Sequence, residues 1–240
     1  MTQENWVNDS SFADLSGLST VVTGSSSGVG RAIAIQFAQA GADLVVHCRR
    51  STTEAEAVAE MIRGIGRQSY VVTADLADEE TLAKFVDEAW GQLNGIDIWV
   101  NNAGVDLLTG PDSKLDYSKK LQRLLDVDVR GTLLLSRLVG ERMRRQGRGV
   151  ILNIGWDQAD RGMEGESGEL FAAAKNAIMG FTRSLAVSLA PTVRVNCIAP
   201  GWIQTAWGKQ ASEVWQERVR RETPLERWGT PEDIAAAARF

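Results

Sequence analysis

Thr23-Gly24-Ser25-Ser26-Ser27-Gly28-Val29-Gly30 is a run of small residues that opens directly into Arg31-Ala32-Ile33-Ala34. Glycine accepts the positive φ of a tight turn. A glycine-rich turn at the start of a helix also lets backbone N–H groups come close to an anion. The chemistry on offer is a cradle for a pyrophosphate, with Gly24 making the turn and Gly28 and Gly30 admitting the ligand. Further on, a second apolar run ends in His47-Cys48-Arg49-Arg50-Ser51. A carboxylate at that place would receive a ribose 2′-hydroxyl. Arginine offers instead a rigid fork of donors and a positive charge, which suit a 2′-phosphate. The two features together predict NADP(H) in preference to NAD(H). The loop 157–169 holds five carboxylates, Asp157, Asp160, Glu164, Glu166 and Glu169. Burial would raise one of them into a working acid; otherwise they are solvated loop charges.

These residues need elements to position them. Short β-branched runs at 19–23, 43–48, 69–73, 96–101, 150–154 and 193–198 alternate with longer helical patterns. Their near-continuous apolar character fits strands buried on both faces. Ser51 stands three residues before Glu54 at capping-box spacing, ahead of a face made by Ala55, Val58, Ala59 and Ile62. Asp78 is a candidate cap for a helix that turns Leu82, Phe85, Val86 and Ala89 inward. Thr230-Pro231-Glu232 is a third helix start, with proline in the first turn. Repeated strand–helix–strand units imply an α/β fold, a doubly wound parallel sheet of Rossmann type with helices on both faces. Such sheets bind ligands beyond the carboxyl ends of their strands, after Thr23, Cys48, Asn101, Ile154 and Ile198.

The spacing Thr23-Gly24-xxx-Gly28-x-Gly30 resembles that of the short-chain dehydrogenase/reductase family, in the branch of the 3-oxoacyl-carrier-protein reductases. Further matches follow in the family's order. Asp75-Leu76 stands where the family contacts adenine, and Asn101-Asn102-Ala103-Gly104 is its NNAG motif. Lys175 ends a would-be YxxxK, and Pro200-Gly201-Trp202-Ile203-Gln204-Thr205 matches the segment that closes over the nicotinamide. The resemblance runs from about residue 18 to the last. It implies one domain over 18–240 preceded by an N-terminal extension, 1–17, with a small helical substrate lobe at about 204–227. It also implies cofactor contacts from Gly24, Ser26, Ser27, Gly28, Val29, Gly30, Arg49, Arg50, Asp75, Leu76, Asn102, Ala103, Gly104, Lys175, Pro200, Gly201 and Thr205. The helices beginning near Leu115 and Glu169 would form a homodimer or homotetramer interface, with Ala173, Ala177 and Gly180 permitting close approach.

The departures from the family concern the chemistry. Its tyrosine phenol, which exchanges a proton with substrate, is replaced by Phe171 in Phe171-Ala172-Ala173-Ala174-Lys175. Its polarising serine after the fifth strand aligns with Trp156, and its helix-four asparagine with Asp128. Of four catalytic positions only Lys175 remains, and a carboxylate at Asp128 could pair with it directly or through water. Phenylalanine has no proton to give, and an indole N–H is no practical acid. Tyr70 begins a strand at the wrong end of the sheet, while Tyr117 lies before helix four, near enough to be considered. The resemblance also puts Trp156, Trp202, Trp207 and Trp215 in segments lining the substrate cleft. An aromatic wall suits a flat or apolar ligand; alternatively Trp207 and Trp215 only pack a helix over 211–221 onto the sheet.

Composition narrows the partners. Hydrophobic residues make up 44% and charged residues 24%, the balance of a globular domain. Lys and Arg number 26 against 31 Asp and Glu, a net charge of −5 that argues against nucleic acid and anionic membranes. Arg142, Arg144, Arg145 and Arg148 read as the solvated end of a helix. Two cysteines, Cys48 and Cys197, in apolar runs and a single histidine predict inert thiols and no metal site. The polar start has no signal-peptide core, and no run of about 18 apolar residues predicts a span, so a cytoplasmic location is expected. The sequence ends within a helical pattern, where the family usually continues into another strand. Two readings follow from the sequence. One is an NADP(H)-dependent oxidoreductase acting on a carbonyl or activated double bond, slow or running on a substituted acid. The other is a catalytically dead member that binds NADP(H) as a sensor or assembly partner.

Overall fold

The computed structural model describes residues 13–240. Six strands, β1 (Ser19–Val22), β2 (Asp43–Cys48), β3 (Ser69–Thr73), β4 (Ile98–Asn101), β5 (Gly149–Ile154) and β6 (Val193–Ile198), form one sheet. All pairings are parallel and the order is β3-β2-β1-β4-β5-β6. The order reverses between β1 and β4, so their carboxyl ends flank the crevice where such sheets take a ligand.

Both faces are covered, because adjacent residues of β1, β2 and β4 are apolar and point opposite ways, whereas the edge strand β6 alternates buried Val193 and Val195 with exposed Arg194 and Asn196. On one side Val22, Leu44, Val46 and Val100 pack under α1 (Gly28–Gln39), α2 (Thr52–Gly64) and α10 (Pro231–Arg239), which contribute Ile33, Phe37, Val58, Ile62 and Ile234. On the other side Val21, Val45, Trp99 and Ile151 meet α3 (Glu79–Leu93), α5 (Thr132–Gln146) and α7 (Glu166–Leu189), through Leu82, Phe85, Leu135, Met143 and Leu185. Short helices α6 (Gln158–Arg161), α8 (Ala206–Gln210) and α9 (Glu213–Glu222) surround the carboxyl edge of β5 and β6.

Several sequence expectations are corrected. Asp78 caps α3 by accepting from the Glu80 N–H, and Thr230 and Asp233 form a reciprocal capping box on α10. Ser51, however, makes no side-chain cap on α2; its backbone sits at φ −79°, ψ 60°, outside the extended region that aims a cap oxygen at the helix. The lobe helix expected at 211–221 is α9, and the short α8 precedes it. Of the expected extension, residues 1–12 lie outside the described residues, and 13–17 run against the chain's first and last helices. Leu15 is buried and its N–H donates to the Ala40 carbonyl, while Arg239 Nε donates to the carbonyl of Ala13. The helix expected from near Leu115 starts at Tyr117 as α4 (Tyr117–Leu124) and passes through a π-helical stretch, Leu125–Gly131, before α5. That wider turn carries Asp128. The arginine stretch does end α5: Arg148 Nε lies 2.7 Å from Asp97 Oδ1, and Arg142 pairs with Asp87 across the Trp90 ring.

Candidate functional site

The turn after β1 is held from both sides of the crevice. Thr23 Oγ1 accepts from the N–H groups of Asn102 and Ala103, each at 3.0 Å, and Asn102 Nδ2 donates to the Thr23 carbonyl. Gly24 has φ +64°, and a Cβ there would stand 2.9 Å from Ala103 Cα. A Cβ on Gly30 would meet Asn102 Nδ2 and the Gly24 carbonyl at 2.4 Å, so only glycine fits under the turn. Gly28, at φ +56°, has nothing within 4 Å of such a Cβ: it faces open space. Ser27, the N-cap of α1, makes no side-chain hydrogen bond, and the first turn carries no carboxylate. The helix therefore keeps its orphan N–H groups and positive end for an external acceptor, which is the requirement for a bound phosphate. This cradle fits a dinucleotide.

A cleft of about 920 Å³ runs from this turn across the sheet edge. Gly24, Ser26, Ser27, Gly28, Arg49, Arg50, Asp75, Leu76, Asn102, Ala103, Gly104 and Thr205 all border it. Arg49 and Asp75 face each other at 4.0 Å and both remain over a third exposed, too loosely paired to hold the guanidinium away from a ligand. Val29, Lys175, Pro200 and Gly201 border instead an adjoining cavity of about 670 Å³. Leu108, Phe171 and Trp207 line both, so the two spaces meet there. Gly30 packs beneath the turn and Asp128 beneath Gly104, rather than on the walls.

His47, used in the sequence only to argue against a metal, is a structural part of the cradle. Gly24 N–H donates to its Nδ1 at 3.1 Å, and its Nε2 lies 3.2 Å from the Ala74 carbonyl. The first contact needs a bare Nδ1 and the second a protonated Nε2, which fixes the neutral tautomer. Burial pushes its pKa down to about 4. An unfolded histidine titrates near 6.5, so the folded state binds fewer protons between those values. The contribution is complete above about pH 6.5 and is lost as pH falls towards 4, amounting to about 3 kcal/mol. Denaturant unfolding at pH 7, 5.5 and 4 should show this loss. His47→Asn, which keeps an acceptor near the Nδ1 position, should flatten it; an equal pH slope in both proteins would refute the assignment.

Trp156, Phe171 and Lys175 line the second cavity, and Asp128 stands behind its wall. Lys175 Nζ lies 3.2 Å from Asp128 Oδ2 and 3.3 Å from the Ile154 carbonyl, and Asp128 Oδ1 accepts from the Val105 N–H at 2.8 Å. The direct pair is buried, the lysine side chain being 14% and the aspartate 2% exposed. Phe171 is one helical turn before Lys175 on α7, and its ring meets Trp156 edge-on at 6.3 Å. Trp156, Trp202, Trp207, Trp215 and Trp228 line the cavity in mutual contact. Trp207 and Trp215 thus both pack the lobe and line the space. The lobe's wall extends past residue 227 to Trp228, which the sequence reading left out.

No carboxylate of the 157–169 loop stands free in the cavity. Glu164 binds Arg218 through two contacts, at 2.5 and 3.1 Å, and Glu166 binds Lys120 at 2.8 Å. Glu169 accepts from the exposed Tyr117 hydroxyl at 3.3 Å. Burial pushes the Asp157 carboxyl up, with Arg161 drawing it down, but Asp157 lies behind Gly201 and off the wall. Tyr70 bonds Gln68, and neither tyrosine lines either space. Burial also pushes both thiols, Cys48 and Cys197, up. A buried amide chain braces the strand ends: Asn101 Nδ2 donates to Asn153 Oδ1 and Ser136 Oγ, and Asn153 Nδ2 donates to Thr182 Oγ1. Polar residues inside apolar strands were its only signal in the sequence. Among the described residues no group of three metal-ligand side chains comes together, and no helix is long and apolar enough to cross a membrane.

A family model described as enoyl-(acyl carrier protein) reductase matches residues 24–240. A 3-oxoacyl-(acyl-carrier-protein) reductase of Aquifex aeolicus (strain VF5) is 37% identical over 231 residues, covering 94% of this chain and 90% of that protein. The structure of a 7α-hydroxysteroid dehydrogenase complexed with NADH and 7-oxo glycochenodeoxycholic acid matches with a TM-score of 0.87 and 32% identity, over 97% of this chain and 89% of that one. A short-chain dehydrogenase from Burkholderia cenocepacia J2315 in complex with NADP matches with a TM-score of 0.84 and 32% identity, over 95% and 91%.

Proposed function

The chain belongs to the short-chain dehydrogenase/reductase family, in the 3-oxoacyl-carrier-protein-reductase-like branch, and from that premise we propose that it is an NADP(H)-binding oxidoreductase severely impaired in ordinary ketone reduction. The observation that carries the reading is the contrast between its two spaces. The dinucleotide cleft keeps every element a pyrophosphate needs, whereas the positions that would give the proton and polarise the carbonyl hold Phe171 and Trp156. Gly24, Ser26, Ser27 and Gly28 would receive the pyrophosphate, and Asp75 and Leu76 the adenine. Asn102, Ala103, Gly104, Pro200, Gly201 and Thr205 would flank the nicotinamide half, with Lys175 bonding its ribose. When bound, the nicotinamide supplies or accepts a hydride. The residues of the chain would orient it, but the tyrosine and serine positions offer no hydroxyl to the cavity, and its two lysines, Lys120 and Lys175, are held in ion pairs.

Arg49 and Arg50 at the end of β2 support NADP(H) over NAD(H). The relatives do not decide the matter, since one was solved with NADP and another with NADH. A charge-assisted contact contributes about 1.5–3 kcal/mol, or roughly 10- to 150-fold in affinity. Calorimetric titration should therefore find micromolar binding of NADPH, at least about tenfold tighter than NADH, with Arg49→Gln shrinking the gap to about threefold. Equal affinities in the parent would overturn the preference, and no binding of either would overturn the function.

A second reading, a non-catalytic NADP(H) sensor or assembly partner, is favoured by the Trp156 ring, which closes the carboxyl end of β5 against Phe171. Assembly would use α4–α5 and α7, where Leu125, Leu138 and Val187 are exposed.

A further inference from the structure

We propose that the tryptophan-walled cavity binds a neutral, planar, electron-poor ring of the quinone class. The proposal deepens the oxidoreductase reading and rests on it for the source of hydride, but not for binding. Three observations point to this ligand.

The walls are preorganised. Trp202 sits at the centre, its ring between 5.5 and 6.5 Å from those of Trp156, Trp207, Trp215 and Trp228. Its Nε1–H donates to Glu222 at 3.0 Å and that of Trp228 to Gln216 at 2.5 Å, so two indoles are fixed in plane as well as in place. Indole faces are electron-rich and favour electron-poor rings and cations. Little ordering remains to oppose binding.

The charges favour a neutral ligand over a cation. Four charged side chains line the cavity, Lys120, Lys175, Glu164 and Glu166, and each already has its counter-charge. Lys120 holds Glu166 at 2.8 Å, Arg218 holds Glu164 at 2.5 Å and Asp128 holds Lys175 at 3.2 Å. A charged ligand would be desolvated without a partner unless it broke one of these pairs.

The missing acid selects the acceptor. Hydride addition to a simple ketone leaves a strongly basic alkoxide, which needs a proton as it forms. Hydride addition to a quinone, carrying two electrons and one proton from a reduced nicotinamide, leaves a hydroquinone monoanion. This is a phenolate, whose conjugate acid titrates near 10, so water can supply the second proton. Lys175, on the cavity wall, is already paired with Asp128, so water and not the lysine supplies that proton. The volume, about 670 Å³, is within the range of small-molecule sites and open to the cofactor cleft.

The test is calorimetry on the cofactor-free protein with 2,3-dimethyl-1,4-naphthoquinone, whose blocked ring carbons resist addition by Cys197. The comparators are 2-naphthol, equally flat but electron-rich, and phenyltrimethylammonium, a cation. The quinone is expected to bind at least about tenfold tighter than either. Trp202→Leu and, separately, Trp215→Leu should each weaken it about tenfold while circular dichroism stays unchanged, and Trp215→Leu should also leave NADPH affinity unchanged, since its ring is outside both the dinucleotide cleft and the Pro200–Thr205 segment. Naphthol binding as tightly, the ammonium binding tighter, or both folded variants keeping full affinity would overturn the proposal. Quinone binding without NADPH binding would sink the oxidoreductase reading and leave this site standing; the reverse result would sink this site alone.

Discussion

A Phe171→Tyr, Trp156→Ser double variant is expected to reduce a simple ketone such as an acetoacetyl ester at least about 100-fold faster than the parent chain. A positioned general acid contributes about 10²- to 10⁴-fold, and a carbonyl-polarising donor about 10²- to 10³-fold, the two overlapping because they act on one oxygen. The geometry to receive them exists. Residue 171 lines both the dinucleotide cleft and the aromatic cavity, and lies one helical turn from Lys175 on α7. Its ring meets that of Trp156 edge-on at 6.3 Å, so a hydroxyl at each position would converge on the space between. Phe171→Tyr alone should recover less, because the indole still fills the serine's place. Lys175 lowers a neighbouring phenol's pKa only as far as its charge is uncompensated, and here Asp128 compensates it. Adding Asp128→Asn should therefore raise the rate again, in excess of the product of the separate effects. Initial rates of NADPH oxidation across these variants decide the matter. A parent already turning over as fast as the double variant would show that another acid works in the site. Lys175, the ammonium on the cavity wall, would then be the first group to replace.

The fold was legible because its signals were redundant. Six apolar runs, a glycine turn and capped helix starts all point to one parallel sheet, and small errors of boundary, as at residues 23 and 96–97, leave its topology untouched. That the candidate residues gather around one cleft was legible for a similar reason: they are strand ends and turns, whose position follows from topology alone. What escaped were contacts between residues far apart in sequence. His47 under Gly24 has no local signature, being one polar residue in an apolar strand, and only the register of β2 beside β1 brings it to the turn. The pairing of Glu164 with Arg218 and of Lys120 with Glu166 depends on how the lobe docks, so solvated and paired carboxylates look alike in the chain. Ser51–Glu54 shows the converse. The spacing was right, but the backbone entering α2 does not turn the serine towards it.

Breaking the Lys175–Asp128 pair from its acidic side has the largest expected cost to stability. Asp128 is 2% exposed and its partner 14%, so Asp128→Ala leaves a largely buried ammonium with only the Ile154 carbonyl at 3.3 Å. Removing one partner of a buried pair typically costs about 3–5 kcal/mol, and partial access of water to Lys175 places the expectation near 3 kcal/mol. For a domain of this size that is a fall of roughly 6–12 °C in the unfolding midpoint. The same substitution removes the acceptor of the Val105 N–H, which ties the loop after β4 to the π-helical turn. Asp128→Asn keeps that acceptor and should cost about half as much. Asp128→Asn with Lys175→Met removes both charges together and keeps the acceptor of the Val105 N–H, so its stability should return to within about 1 kcal/mol of the parent. Its NADPH affinity should not return, because the lysine that would bond the ribose is gone. Thermal unfolding and NADPH titration of the three variants thus separate two roles. A pair serving only to hold the fold would leave cofactor affinity intact in the double variant. A pair that holds Lys175 for the nucleotide makes stability recover while binding stays lost.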